Sequence, residues 1–119
     1  TEALKPFAVY FDKASDIVKE DERSKVAGIF EAVKAAGGDL ELVVTGFSDN
    51  VGNSASNEEL SLRRAGNVRA ELVRLGLPEA SLSLAAVEED VSDRPRSEAW
   101  KSRRVEVSLK PGNPTGSNP

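Results

Sequence analysis

Cysteine and histidine are both absent from the 119-residue sequence. Their absence removes thiol and imidazole nucleophiles and bases, disulfide bridges, and zinc sites built on nitrogen or sulfur. A Ser-His-Asp arrangement is excluded outright for Thr45 and the serines. Catalysis would have to use carboxylates, Ser, Thr, Lys, Arg or the single Tyr10, so the composition argues for binding and no cofactor is expected. Positive charge is not in surplus either. The net charge is −4 with acidic and basic residues interspersed, which argues against a nucleic-acid partner. No run approaches the roughly 18 to 20 apolar residues of a membrane span, so this domain is expected outside the bilayer. With no initial Met and no basic region leading into an apolar run, the chain is read as processed or cut from something longer. What is present is ordinary for a globular protein: 39% hydrophobic and 30% charged residues, and length for one core.

Residues 7–11 (FAVYF) predict a short buried strand. From about 21 to 36, Val26, Ile29, Phe30 and Val33 recur at helical spacing, and Gly37-Gly38 supplies the stop. Residues 40–45 (LELVVT) predict a second strand, and 46–56 (GFSDNVGNSAS) a polar loop. Ser56-Asn57-Glu58-Glu59 fits a capping box that opens a second helix, which runs to about Leu75 and stops at Gly76. Residues 82–87 and 105–109 predict two more strands, with a charged loop or short turn at 90–97. The order strand-helix-strand-helix-strand-strand implies crossover connections and some parallel pairing, hence an α/β (α+β) two-layer sandwich. The domain is expected to occupy residues 1–110. The tail at 111–119 (PGNPTGSNP) has nothing to bury and is expected to be disordered or a linker.

One side chain breaks the pattern. On a wheel of about 100° per residue, Val68, Leu72 and Leu75 share an apolar stripe with Leu60, and Arg64 falls inside it. A guanidinium on the buried side of a helix needs an anion, because leaving it desolvated and unpaired is costly. Two sources are open: an internal carboxylate, with Asp49 and Asp12 the first candidates, or a ligand carboxylate gripped two-pronged. Asp49 lies just past the predicted second strand, at the edge where open α/β sheets bind ligands. Taken alone, Asp49-Asn50-Val51-Gly52 is simply a good turn. A calcium loop on Asp49, Asn50 and Asn53 lacks the alternating acidic ligands and closing Glu of an EF-hand.

Gly46-Phe47-Ser48-Asp49 with Gly52, then Asn57-x-x-Leu60-Ser61-x-x-Arg64-Ala65-x-x-Val68, and finally Arg103-Arg104-Val105 together resemble the OmpA-like peptidoglycan-binding family. The resemblance spans roughly residues 7–109, and its specific part is the middle motif. It implies two long helices on one face of a small mixed sheet. It also implies non-enzymatic binding of peptidoglycan through the diaminopimelate side chain of the stem peptide, on the periplasmic side of the cell envelope, anchoring a larger envelope protein to the wall. Asp49 would take the diaminopimelate ammonium and Arg64 the adjoining carboxylate. Asn57, at the helix start, would hold the loop or touch the peptide. Phe11 and Asp12 match a corner that family members use as a pocket wall.

Departures from the family pattern are Phe47 in place of His, Ser48 in place of Thr, and Ala85-Ala86-Val87-Glu88-Glu89-Asp90 where many members have a Gly-rich turn. That acidic run could repel other carboxylates of the stem. Of Arg103 and Arg104, one is expected in a structural ion pair and one in solvent, with Arg104 the candidate for the pocket. Trp100 is read as a packing or surface anchor rather than a sugar platform, and Glu88, Glu89 and Asp90 as a solvated turn rather than glycosidase carboxylates. Two rival functions remain open. One is a degenerate fold for protein–protein contact, with Asp49 and Arg64 paired to each other; the other is a carboxylate enzyme acting on the wall.

Overall fold

A computed structural model describes residues 7–37, 40–49, 53–89 and 95–110. Six elements follow the expected order: β1 (Phe7–Tyr10), α1 (Glu20–Ala35), β2 (Leu42–Asp49), α2 (Ser54–Leu75), β3 (Leu82–Glu89) and β4 (Arg104–Leu109). Short 3-10 turns at Glu79–Ser81 and Arg96–Ser102 lead into β3 and β4. The expected tail at 111–119, the turn residues 50–52, Gly38 and the 90–94 part of the charged loop lie outside the described residues.

The strands form one mixed sheet in the order β1-β4-β2-β3. β4 is antiparallel to both β1 and β2, while β2 and β3 are parallel and joined by α2. Val9, Val44, Val105 and Val107 meet Val26, Ile29 and Val33 of α1 and Ala65, Val68 and Leu72 of α2 in one core, each at most 2% exposed. Both helices therefore cover the same sheet face, as the resemblance implied. No helix among the described residues is long and apolar enough to cross a membrane.

The segment read as a loop from Gly46 onward is different in the structure. β2 continues to Asp49, with Gly46 through Asp49 paired to Ala86 through Glu89 of β3. Polar side chains disguised a stretch whose backbone hydrogen bonds go to a partner some forty residues away. The helix start also differs. Asn53, not Ser56, is the N-cap: its side chain accepts from the Ser56 amide at 2.8 Å, and α2 begins at Ser54. At the other end, Gly76 closes α2 as expected with φ 133°, a conformation suited to glycine.

Gly46 sets how closely sheet and helix approach. A Cβ there would lie 2.0 Å from the Ser61 carbonyl oxygen, a backbone atom of α2. Ser61 is itself fully buried, its hydroxyl donating to the Glu58 carbonyl at 2.9 Å. This contact brings the C-terminal end of β2, with Asp49, up against the helix that carries Arg64.

Candidate functional site

Four segments converge beyond the end of β2. Ser48 and Asp49 come from β2, and Asn57, Leu60 and Arg64 from the first three turns of α2. Lys13 and Ala14 come from the loop after β1, and Ala99, Ser102 and Arg103 from the turn before β4. Together they line a cleft of about 420 Å³. A second cleft of about 410 Å³ shares Ser48 with it. Its charged lining is Glu58 and Glu88, with no cation among the described residues. An anionic group belongs in the first.

Arg64 is only 3% exposed. Its Nε donates to the Ser15 carbonyl at 2.7 Å and its Nη2 to the Asp12 carbonyl at 3.1 Å. Its guanidinium stands 5.3 Å from the Phe11 ring centroid. The receiving loop is folded for this: Ser15 N–H donates to the Asp12 carbonyl at 3.1 Å, and Ala14 takes φ 59°, a left-handed conformation that costs a non-glycine residue about 1 kcal/mol. Arg63 pairs with Asp16 at 3.1 Å, and Asn67 donates to the Asp16 carbonyl at 2.7 Å, so three neighbouring side chains of α2 clamp the loop.

These contacts settle where the Arg64 charge goes. Asp12 is not its ion-pair partner, because that carboxylate is held by Lys19 at 2.9 Å. Among the described residues no carboxylate stands within ion-pair distance of Arg64, and Nη1 has no acceptor. Burial pushes the Arg64 pKa down, and nearby Arg103 adds to the effect against a weaker opposing pull from Asp16. The cation is held at an electrostatic cost that backbone carbonyls only partly offset.

The other predicted site residues divide. Asp49 and Asn57 line the cleft with Arg64, and Asn57 Nδ2 makes a long 3.4 Å contact to the Asp49 carbonyl. Phe11 is buried behind Arg64 rather than lining the space, and Asp12 offers its backbone rather than its carboxylate. Arg104 is not part of this cleft. Its guanidinium takes both Glu89 carboxylate oxygens at 3.0 Å and Glu106 at 2.8 Å, and lies 3.9 Å from the Phe47 ring centroid. Burial pulls its pKa down, but the hydrogen bonds to Glu89 and Glu106 outweigh that and raise it. The arginine in the cleft is Arg103, whose Nε donates to the Phe11 carbonyl at 3.1 Å.

Strand alternation carried the signal for this exchange. With Val105 and Val107 inward, Arg104 and Glu106 face the opposite side of the sheet. Lys13, Ser48 and Ser102 had no comparable signal. The acidic run at the end of β3 is also less free than expected: Glu89 is bound to Arg104, and Glu88 accepts from the Ser54 hydroxyl at 2.8 Å. Trp100 packs edge-on to Tyr10, with centroids 5.2 Å apart, and its carbonyl accepts from the Arg103 amide.

A sequence profile of the OmpA family matches residues 10–105. The chain belongs to the OmpA family. Among solved structures, the peptidoglycan-associated lipoprotein from Burkholderia pseudomallei is similar at 21% identity and a TM-score of 0.76, over 87% of this chain and 90% of that one. The C-terminal domain of Helicobacter pylori MotB is similar at 23% identity and 0.73, over 91% and 85%. The cell wall anchor of the T6SS from Pseudomonas aeruginosa is similar at 19% identity and 0.70, over 87% and 79%. At these identities the likeness establishes the fold. No curated protein matches the sequence significantly. In this OmpA family domain, the motif residues Asp49, Asn57 and Arg64 share one cleft, and Phe47, at the position of the family's His, serves as the platform for Arg104.

Proposed function

We propose that this domain binds peptidoglycan non-covalently through the diaminopimelate side chain of the stem peptide, and so anchors a larger envelope protein to the wall from the periplasmic side. The observation that carries the reading is a nearly buried guanidinium, without a carboxylate partner among the described residues, lining a cleft that also contains Asp49. Diaminopimelate ends in a zwitterion. Its carboxylate would complete the coordination of Arg64, and its ammonium would meet Asp49. Each contact is a charge-assisted hydrogen bond worth about 1.5 to 3 kcal/mol. Asn57 steadies the Asp49 backbone, and Phe11 and the Asp12 carbonyl support Arg64 from behind. A cleft of about 420 Å³ is in the range that small ligands occupy. The names of two similar proteins, a peptidoglycan-associated lipoprotein and a cell wall anchor, agree with this reading.

A lysine-type stem lacks the second carboxylate and would leave Arg64 buried without its anion, so it should be rejected on charge more than on shape. No bond is cleaved in this scheme. Co-sedimentation with purified diaminopimelate-type sacculi tests it. The native protein should pellet with the wall, whereas Asp49→Ala and Arg64→Ala should stay in the supernatant while still melting cooperatively. Undiminished pelleting of both folded variants would remove the proposal, and release of soluble wall fragments would replace it with an enzyme.

A further inference from the structure

β3 ends the sheet. β2 pairs with one of its edges, and among the described residues no strand pairs with the other. It is eight residues long, against four for β1 at the opposite end. Such an edge offers backbone donors and acceptors to a further strand unless Lys, Pro or a bulge blunts it. Leu82–Glu89 contains no Lys, Pro or Gly, runs in unbroken register with β2, and confines its charges to the last two positions.

The helix beside this edge is suited to a neighbour as well. α2 runs antiparallel along β3: the Ser54 hydroxyl reaches Glu88 at one end, and Arg69 Nη1 donates to the Leu82 carbonyl at 3.3 Å at the other. On a wheel of about 100° per residue, Ala55, Leu62, Gly66 and Val73 fall within about 40° of one another, beside Arg69 and on the flank opposite Asn57, Leu60 and Arg64. Leu62 and Val73, with Val87 of β3, are three of the five large hydrophobic side chains exposed among the described residues, so apolar surface gathers on this side. A Cβ on Gly66 would meet nothing within 4 Å. The domain's own packing therefore does not require glycine in mid-helix, where it costs about 1 kcal/mol against alanine. A second helix at close approach would.

Charge decides what that neighbour is. Glu58 and Glu88 line the second cleft at one end of the edge. At the other end Arg69 has, among the described residues, only the exposed Glu79 as a carboxylate partner, at 3.8 Å. A second copy laid antiparallel puts each acidic end beside the other copy's Arg69, whereas a parallel copy sets acid on acid and closes no symmetric pair. With Ala85 on the two-fold axis, Leu82 faces Glu88 of the second copy. Leu62, midway along α2 between Ser54 and Arg69, then faces its own counterpart. We propose that the domain self-associates as a two-fold dimer through the free edge of β3 and this flank of α2, joining two four-stranded sheets into one. The interface uses none of the residues that line the cleft holding Arg64, so it stands independently of what that cleft binds.

Sedimentation velocity of the 119-residue chain, from about 10 μM to about 1 mM, tests this. The native protein should pass from monomer to dimer across that range. Leu62→Arg should remain monomeric throughout, because two like charges would meet on the axis. Arg69→Glu should weaken the dimer about ten-fold, and adding Glu88→Arg should recover most of the loss, since the pair is then reversed and not removed. Gly66→Ala should melt at a higher temperature as a dilute monomer yet dimerise more weakly, a combination that helix propensity alone does not produce. Leu62 is exposed and its variant is expected to fold; the charge reversal provides a separate test if it does not. A native chain still monomeric at about 1 mM would overturn the inference and leave the edge to a partner of another kind. A dimer untouched by both Leu62→Arg and the charge reversal would place the contact elsewhere and overturn it equally.

Discussion

Arg64 and Arg104 are both largely withdrawn from solvent, and they differ in what surrounds them. Arg104 is closed within its own protein: Glu89 grips it two-pronged, Glu106 takes its Nε, and Phe47 lies against its plane. Arg64 has two backbone carbonyls and no carboxylate among the described residues. The first arginine is satisfied and fastens β4 to β3; the second is incomplete and lines a cleft. A buried cation points to a ligand only where its counter-charge is lacking, so partners, more than burial, separate a binding arginine from a structural one.

The comparison breaks most easily at the frame that holds it. Gly46→Ala would drive a methyl group into the Ser61 carbonyl, and a loss of about 3 kcal/mol is expected on denaturant unfolding, because both clashing groups are anchored in regular elements. Removing each arginine in turn sharpens the contrast. Arg64→Ala should weaken binding of a diaminopimelate stem by about a hundred-fold in calorimetry. Arg104→Ala should leave that affinity within about two-fold while lowering unfolding stability by about 2 kcal/mol, through the lost carboxylate bonds and ring stack. If Arg104→Ala instead impaired binding with stability unchanged, the roles assigned to the two arginines would be reversed. The smallest effect is expected at Asn53→Ala, which removes the α2 cap for about 1 kcal/mol, measurable as a lowered melting temperature with affinity retained.

The two helices and four strands were legible because their apolar spacing is local, and Arg64 stood out because helical periodicity places it among Ala65, Val68 and Leu72. The continuation of β2 through Asp49 was hidden. Ser48 and Asp49 look like loop residues, and what keeps them in a strand is pairing with Glu88 and Glu89 across the sheet. The cap was misplaced at Ser56, because the capping-box spacing fits there while Asn53, also a good N-cap residue, is the one the folded chain uses. The partners of Arg64 were beyond reach for another reason. They are main-chain carbonyls of Asp12 and Ser15, and every residue has a carbonyl, so no residue type advertises them. The sequence reading put Arg104 in the pocket, whereas the cleft holds Arg103, and here the signal was present in the alternation of Val105 and Val107, which sets Arg104 on the opposite face.

Calorimetric titration of the native domain with two soluble stems differing only at the third residue, diaminopimelate in one and lysine in the other, probes the incomplete arginine directly. The diaminopimelate stem should bind saturably and the lysine stem at least about ten-fold more weakly, since it brings no carboxylate to Arg64. Equal affinity for the two stems would contradict the account.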